Sequence, residues 1–80
     1  MRSLQKLVGS YVQIHCVDSE DPTIEWWEWG SVDYVASEYL VMKDDDGDYI
    51  LIMVRDIKEV FAIEGRKRVY EAGKRSRKKK

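Results

Sequence analysis

The sequence predicts a mostly β protein, in which a short N-terminal helix precedes five strands that curl into a small, strongly bent barrel. Two observations support this fold class. Apolar residues alternate with polar ones along several short segments, as in strands with one buried face, and turn-forming residues separate these segments. Gly30 interrupts the longest segment, which is typical of a strand that bulges or bends where a small sheet closes into a barrel.

The chain begins with a short helical pattern. Leu4, Leu7 and Val8 recur at helical spacing behind Ser3, a residue type that caps helix N-termini, and Gly9 follows where helices commonly end. We therefore expect one short helix before the first strand.

Five strand segments follow this helix. In the first strand, Val12, Ile14 and Cys16 share one face, which predicts a strand with one buried side. Asp46 and Gly47 are a strong hairpin signal before the fourth strand. The predicted strands cover residues 10–17, 26–36, 39–42, 49–54 and 57–63.

The fourth predicted strand is apolar on both faces. Tyr49, Leu51 and Met53 share one parity and Ile50 and Ile52 share the other, so neither face suits contact with water. Two interpretations are open at this point. One face contacts another subunit, or the whole strand is enclosed in a tight monomeric core.

Charge divides the chain into two parts. Residues 1–65 carry five Lys or Arg against fourteen Asp or Glu, whereas residues 66–80 carry nine against one. The sequence therefore predicts an acidic folded domain over residues 1–65 and a basic, disordered tail over residues 66–80. A brief extension of strand structure over residues 66–70 is also open.

Composition excludes several classes of protein. No segment reaches the roughly 20 apolar residues of a membrane span, and the first residues lack an apolar signal-peptide core, so we expect a cytoplasmic protein. One cysteine, Cys16, permits no intramolecular disulfide, and one histidine, His15, leaves too few ligands for a structural zinc. Because a chain of 80 residues forms only a small core, association with further copies is the expected supplement.

We expect no enzyme, no cofactor and no dedicated metal site. His15 and Cys16 point to opposite faces of one strand, so they cannot act together as base and nucleophile. The acidic run of residues 44–48 is not an EF-hand loop, because Tyr49 would stand at the required glycine and Arg55 at the bidentate glutamate. Weak binding of a divalent cation at this hairpin is a remote alternative.

Several segments match the pattern of one family of small β barrels. Residues 36–42 are similar to a run in which an aspartate, a glutamine and an aromatic residue lead into the third strand. Residues 52–57 are similar to an apolar-Arg-Gly motif before the last strand. Over residues 3–63 the chain thus resembles the Sm, LSm and Hfq proteins. Further matches are residues 4–9, Val12 and Ile14 for the helix and first strand, and Gly30 with Val32.

The chain also departs from this family at motif positions. Ser37 stands in place of the motif aspartate, no asparagine follows it, and Asp56 replaces the motif glycine. The Tyr-Lys-His signature of Hfq is missing. The resemblance is therefore to a divergent member, for which we expect a viral or bacterial source.

The resemblance implies an SH3-like barrel of the Sm fold that assembles into a ring. In the family, the fourth strand of one copy pairs with the fifth strand of the next, which here would close a ring of roughly five to seven copies. On this basis the predicted subunit-interface residues are Tyr49, Leu51, Met53, Val60 and Phe61.

It also implies that the ring binds single-stranded RNA without catalysis. Tyr39 and Arg55 lie at the two turns that line the inner rim in the family, and both side chains can stack on unpaired bases. The alternative is that Tyr39 packs on the barrel and that Asp56 or Asp33 neutralises Arg55. Tail residues expected to contact RNA phosphates are Lys74, Arg75, Arg77, Lys78, Lys79 and Lys80. The tail could instead promote solubility or fold back on the acidic domain.

A protein-interaction module is the alternative function. Trp26, Trp27 and Trp29 crowd one strand, so strict alternation turns at least one ring away from the core. Trp27 and Trp29 are the predicted partner contacts, and their acidic neighbours Glu25 and Glu28 suit a basic or methylated-lysine partner. On this interpretation the domain is an SH3-like barrel and RNA plays no part.

Overall fold

A computed structural model describes residues 4–63 and 67–72, which form six antiparallel strands in one sheet. The strands follow one another in the sheet in the order β4-β3-β2-β1-β5-β6. Two 3-10 helices accompany them, one before β1 and one between β4 and β5. The strands are β1 (Tyr11–Val17), β2 (Glu25–Val35), β3 (Tyr39–Lys43), β4 (Tyr49–Met53), β5 (Ile57–Ala62) and β6 (Lys67–Glu71), and the 3-10 helices are Leu4–Leu7 and Val54–Asp56.

In the described residues, a 3-10 turn stands where the sequence predicted a short N-terminal helix. It is a single 3-10 turn over Leu4–Leu7, with Leu4 buried against the core. Gly9 adopts a φ of +92°, which breaks the helical backbone. The Gly9 amide donates a 2.8 Å hydrogen bond to the Val32 carbonyl of β2. This bond ties the backbone to the sheet directly after the 3-10 turn.

β1 lies between β2 and β5 and pairs antiparallel with both. Val12, Ile14 and Cys16 have no exposed surface, which confirms the predicted buried face of this strand. We call this side of the sheet the core face and the opposite side the outer face. None of the helices in residues 4–63 and 67–72 is long and apolar enough to cross a membrane.

Gly30 permits a close approach between backbone segments. It is buried in β2, and a Cβ atom at this position would lie 2.5 Å from the Lys43 carbonyl oxygen. The bulge expected at this glycine lies further along the strand. The register of β2 against β3 shifts between Val32 and Tyr34. The predicted irregularity of the long strand is therefore present, but Gly30 is needed for space and not for the bulge.

Residues 4–63 and 67–72 form six strands where the sequence predicted five. β6 pairs with β5 and lies within the segment assigned to a basic tail, at the brief extension left open for residues 66–70. Among the described residues, β4 and β6 end the sheet and do not pair with each other, so these strands form one open sheet and not a closed five-stranded barrel. Val69 and Tyr70 pack against the core and supply the apolar contacts that hold β6.

The core collects side chains from β1 to β5 and from the first 3-10 helix. In β4, Ile52 is buried, whereas Tyr49 and Leu51 are 63% and 60% exposed. The interpretation that encloses β4 in a monomeric core is therefore wrong. The buried apolar residues are Leu4, Val12, Ile14, Cys16, Val32, Val35, Leu40, Met42, Ile52, Ile57 and Val60.

Candidate functional site

An aromatic groove crosses the outer face of β1, β2 and β5. Trp27 and Trp29 are 39% and 48% exposed. Phe61 approaches Trp27 from β5, with ring centroids 6.0 Å apart and an angle of 30° between the ring planes. We define the aromatic groove by the residues that line its volume of about 560 Å³, which are Gln13, Trp27, Trp29, Phe61, Ala62 and Ile63.

The strand register explains why these rings meet. Gln13 of β1 lies opposite Trp29 of β2 on one side and opposite Phe61 of β5 on the other. Because directly opposed residues in antiparallel strands point to the same face, the two rings flank the Gln13 side chain. Trp26 has the other parity and packs against the core. The groove therefore follows from alternation in β2 combined with the pairing of β1 with β5.

His15 holds one end of the groove. Its ring stacks on Trp27, with centroids 4.6 Å apart and planes within 15°. The two ring nitrogens face two carboxylates, with Nε2 2.6 Å from Glu25 and Nδ1 3.2 Å from Glu59. Glu59 also lies 3.4 Å from Arg68 of β6. Contacts from β2 and β5 fix the imidazole, and the imidazole in turn supports the Trp27 ring.

Carboxylates lie beyond both ends of the groove. At the first end are Glu25 and Glu59, which flank His15. At the other end, the Ile63 amide donates a 3.4 Å hydrogen bond to the Tyr11 carbonyl, and the Tyr11 hydroxyl donates a 2.9 Å bond to Asp45. This hydrogen bond, with a smaller effect of burial and the Asp45 charge, raises the pKa of Tyr11.

The whole described surface is acidic as well. Residues 4–63 and 67–72 carry six Lys or Arg against fourteen Asp or Glu, a net charge of −8. A polyanion that approached the outer face would meet a net repulsion, and a cationic group would meet a net attraction. The electrostatic field of this part of the chain therefore favours cationic ligands.

The two turns expected to contact RNA lie together at another end of the sheet. Tyr39 is opposite Met53 in the β3–β4 pairing, and the Val54 amide donates a 3.0 Å hydrogen bond to the Glu38 carbonyl. The Tyr39 ring lies 6.2 Å from the ring of Tyr34. Arg55 is exposed in the second 3-10 helix. The structure thus brings these turns to one place, which is separate from the aromatic groove.

Asp56 is tied to a neighbouring loop. Its carboxylate accepts a 3.0 Å hydrogen bond from the Ser19 amide, so it holds the β1–β2 connection against the second 3-10 helix. The same connection contains an internal contact in which Asp21 accepts a 2.7 Å bond from the Thr23 hydroxyl. This bond lowers the pKa of Asp21.

The predicted interface residues occupy three different places. Tyr49, Leu51 and Met53 share the outer face of β4. Val60 is completely buried in the core, and Phe61 lines the aromatic groove. β5 already pairs with β1 on one side and with β6 on the other. The predicted RNA contacts Lys74, Arg75, Arg77, Lys78, Lys79 and Lys80 lie outside the described residues.

Two further chemical groups have structural roles. Carboxylate oxygens of Asp44, Asp46 and Asp48 lie within 4.8 Å of one another, and Asp44 accepts hydrogen bonds from the amides of the other two at 2.9 Å. The two hydrogen bonds stabilise the β3–β4 hairpin. Cys16 is buried, and this burial, with smaller contributions from the charges of Glu28 and Asp56, raises its pKa to about 12. Its thiol is therefore a poor nucleophile.

Sequence reasoning identified only part of the groove. Trp27 and Trp29 were predicted as contact residues from parity, but Phe61 was assigned to a subunit interface and Gln13 to no site. The missing signal was the register of β5 against β1, which places Phe61 opposite Gln13.

Among known proteins, no family model, no curated protein and no solved structure matches this chain.

Proposed function

We propose that the protein is a non-catalytic binding module that holds a basic, extended segment of a partner protein in the aromatic groove. The observation that carries this proposal is the exposure of Trp27 and Trp29 beside Phe61 on one face of the sheet. Large aromatic side chains are enriched where proteins contact partners, because they bury much area and lose few rotamers.

Charge at the two ends of the groove supports a basic ligand. His15 and Tyr11 mark these ends on β1, and four residues of a strand span about 13 Å. An extended segment laid along β1 would therefore place residues i and i+4 near Glu25 and Glu59 at one end and near Asp45 at the other. Cationic side chains at these two positions complement the carboxylates.

The ring geometry supports arginine in particular. Trp27 stacks with His15 and with Phe61, which holds its ring in place, and Trp29, which is 48% exposed, offers aromatic surface to a ligand. A planar guanidinium stacks on aromatic faces and stays charged at all working pH values. A lysine ammonium gains attraction from the rings but has no flat face of its own.

A fluorescence or calorimetric titration of the full chain tests this proposal. The probe is a short peptide with two arginines about four residues apart, compared with the same peptide carrying glutamates. Trp29→Ala should weaken arginine-peptide binding by about 2 kcal/mol, or roughly thirtyfold in Kd. Tyr34→Ala is the matched control, since Tyr34 is also an exposed aromatic residue of β2 but lies outside the groove. Equal binding of both peptides, or equal loss in both variants, would refute the proposal.

A second candidate is an Sm-like RNA-binding ring, which the shared position of the Tyr39 and Arg55 turns favours. In this proposal β1 to β5 supply the five strands of an SH3-like barrel of the Sm fold, and β6 is an addition. The tail beyond residue 72 would gather RNA through phosphate contacts, and several tails on one ring would raise the effective concentration.

The position of β6 changes how such a ring would close. Because β6 occupies the second side of β5, the fourth strand of a neighbouring copy would have to pair with β6 or displace it. Native mass spectrometry with and without oligo-U tests this candidate. The ring candidate predicts a closed ring that binds RNA, and it predicts weaker RNA binding by Tyr39→Ala and Arg55→Ala. Removal of residues 74–80 should reduce the salt dependence of binding, and an unchanged dependence would exclude phosphate contacts by the tail.

A further inference from the structure

β4 is an edge strand without the features that protect sheet edges. Its five residues, Tyr49–Met53, include no charge and no proline. It pairs with β3 in an unshifted register, and within residues 4–63 and 67–72 it has no neighbour on its other side. A regular, apolar edge of this kind is a template for pairing with another strand.

The opposite edge of the sheet differs in both respects. β6 contains Lys67, Arg68 and Glu71, and its register against β5 shifts between Val60 and Phe61. Edge charges and bulges are the common means by which proteins prevent edge pairing. The two edges of one sheet therefore contrast, with one protected and the other open.

The outer face beside the open edge is apolar and exposed. Leu51 is 60% exposed and lies opposite Val41 of β3. Tyr49 is 63% exposed, with the Lys43 ammonium 5.5 Å from its ring centre. An apolar exposed surface thus extends from the edge strand onto β3.

We propose that β4 pairs antiparallel with β4 of a second copy of this chain, across a twofold axis at Leu51. An axis at this central residue pairs all five strand residues, with Tyr49 opposite Met53 of the second copy. No charges oppose each other within the strand. Continued past its ends, the same register brings Gly47 and Asp48 of the acidic hairpin towards Arg55 of the second copy, so opposite charges meet there.

The second copy is the occupant that these features favour over a strand from an unrelated protein. The pairing is self-complementary in register and in charge, as a twofold contact requires. It also removes both open edges at once and leaves only the protected β6 edges, so the assembly closes as a dimer. This interface is distinct from the aromatic groove and leaves both grooves of the dimer accessible.

Sedimentation equilibrium of the full chain tests the dimer. The wild-type chain should sediment as a dimer, and Leu51→Lys should weaken dimerisation by about tenfold or more, because it places a charge on the edge. Tyr34→Lys is the matched control on the same outer face but away from the edge, and it should remain dimeric. A wild-type monomer, a ring of more than two copies, or equal dissociation in both variants would overturn the proposal.

Cysteine cross-linking tests the strand register. Leu51→Cys should give a covalent dimer under mild oxidation, since residues at the axis face their own copies within disulfide reach. Val41→Cys, one strand further in, should not. Cys16 is buried and does not interfere. A dimer that Leu51→Cys fails to cross-link would overturn edge pairing through β4 even if the oligomeric state is correct.

Discussion

Replacement of Gly30 by alanine tests how tightly β2 is folded against the end of β3. The added Cβ would lie 2.5 Å from the Lys43 carbonyl oxygen, 3.1 Å from its carbonyl carbon and 3.3 Å from the Asp44 Cα. All three are backbone atoms, so no flexible side chain can move aside. Ordinary contact begins near 3.4 Å, and the two strands would have to separate by about 0.9 Å. Overpacking of this kind costs about 1–3 kcal/mol.

Thermal unfolding followed by circular dichroism measures this cost. For a domain of this size, each kcal/mol corresponds to about 4–8 °C in Tm, so Gly30→Ala should unfold roughly 5–20 °C below the wild type. Ser31→Ala is the control, because it changes the next residue of the same strand without adding volume. A Gly30→Ala Tm within about 2 °C of the wild type would refute the close approach of β2 and β3.

Three further predictions concern the core and the titrating groups. Because burial raises the pKa of Cys16 from 9.0 to about 12, the folded chain keeps a proton that the unfolded chain loses. The free energy of unfolding should therefore fall between these pH values, and Cys16→Val should flatten this fall in urea titrations. Asp45→Asn should move the pKa of Tyr11 back towards its ordinary value, as ultraviolet titration of the phenol would show. Ile14→Ala removes a side chain with no exposure and should cost about 2–5 kcal/mol by chemical denaturation, whereas a cost below about 1 kcal/mol would place Ile14 outside the core.

Local alternation was enough to place most strands. The buried face of β1 and the outward rings of Trp27 and Trp29 follow from period two within one segment, so the sequence predicted them correctly. Gly30 shows where such reasoning ends. The sequence shows that residue 30 is a glycine inside a strand. Only the folded chain shows that the Lys43 carbonyl lies where a side chain at this position would begin.

Non-local pairing accounts for what the sequence did not predict. The sequence left open whether residues 66–70 extend the strand structure. Val69 and Tyr70 stand among basic residues in the sequence, and their apolar contacts form only when β6 pairs with β5. Phe61 was separated from the tryptophans for the same reason. Its place in the groove depends on the register between β1 and β5, whose residues lie more than forty positions apart in the chain.

Mutations in the aromatic groove and at the β4 edge should have different effects. Changes at Trp29 should alter ligand binding and leave the dimer intact, whereas changes at Leu51 should dissociate the dimer and leave each groove intact. If both residues affected both properties, the groove and the edge would not be independent surfaces. The pair of variants therefore separates partner binding from self-association in one set of measurements.

The indole N–H signals of the full chain in a ¹H–¹⁵N correlation spectrum test the central claim most directly. The chain has three tryptophans, and only Trp27 and Trp29 line the groove. Addition of the arginine peptide should shift these two signals and leave Trp26, which packs against the core, in place. No shift with the arginine peptide, or an equal shift with the glutamate peptide or with oligo-U, would contradict a groove that selects basic protein segments.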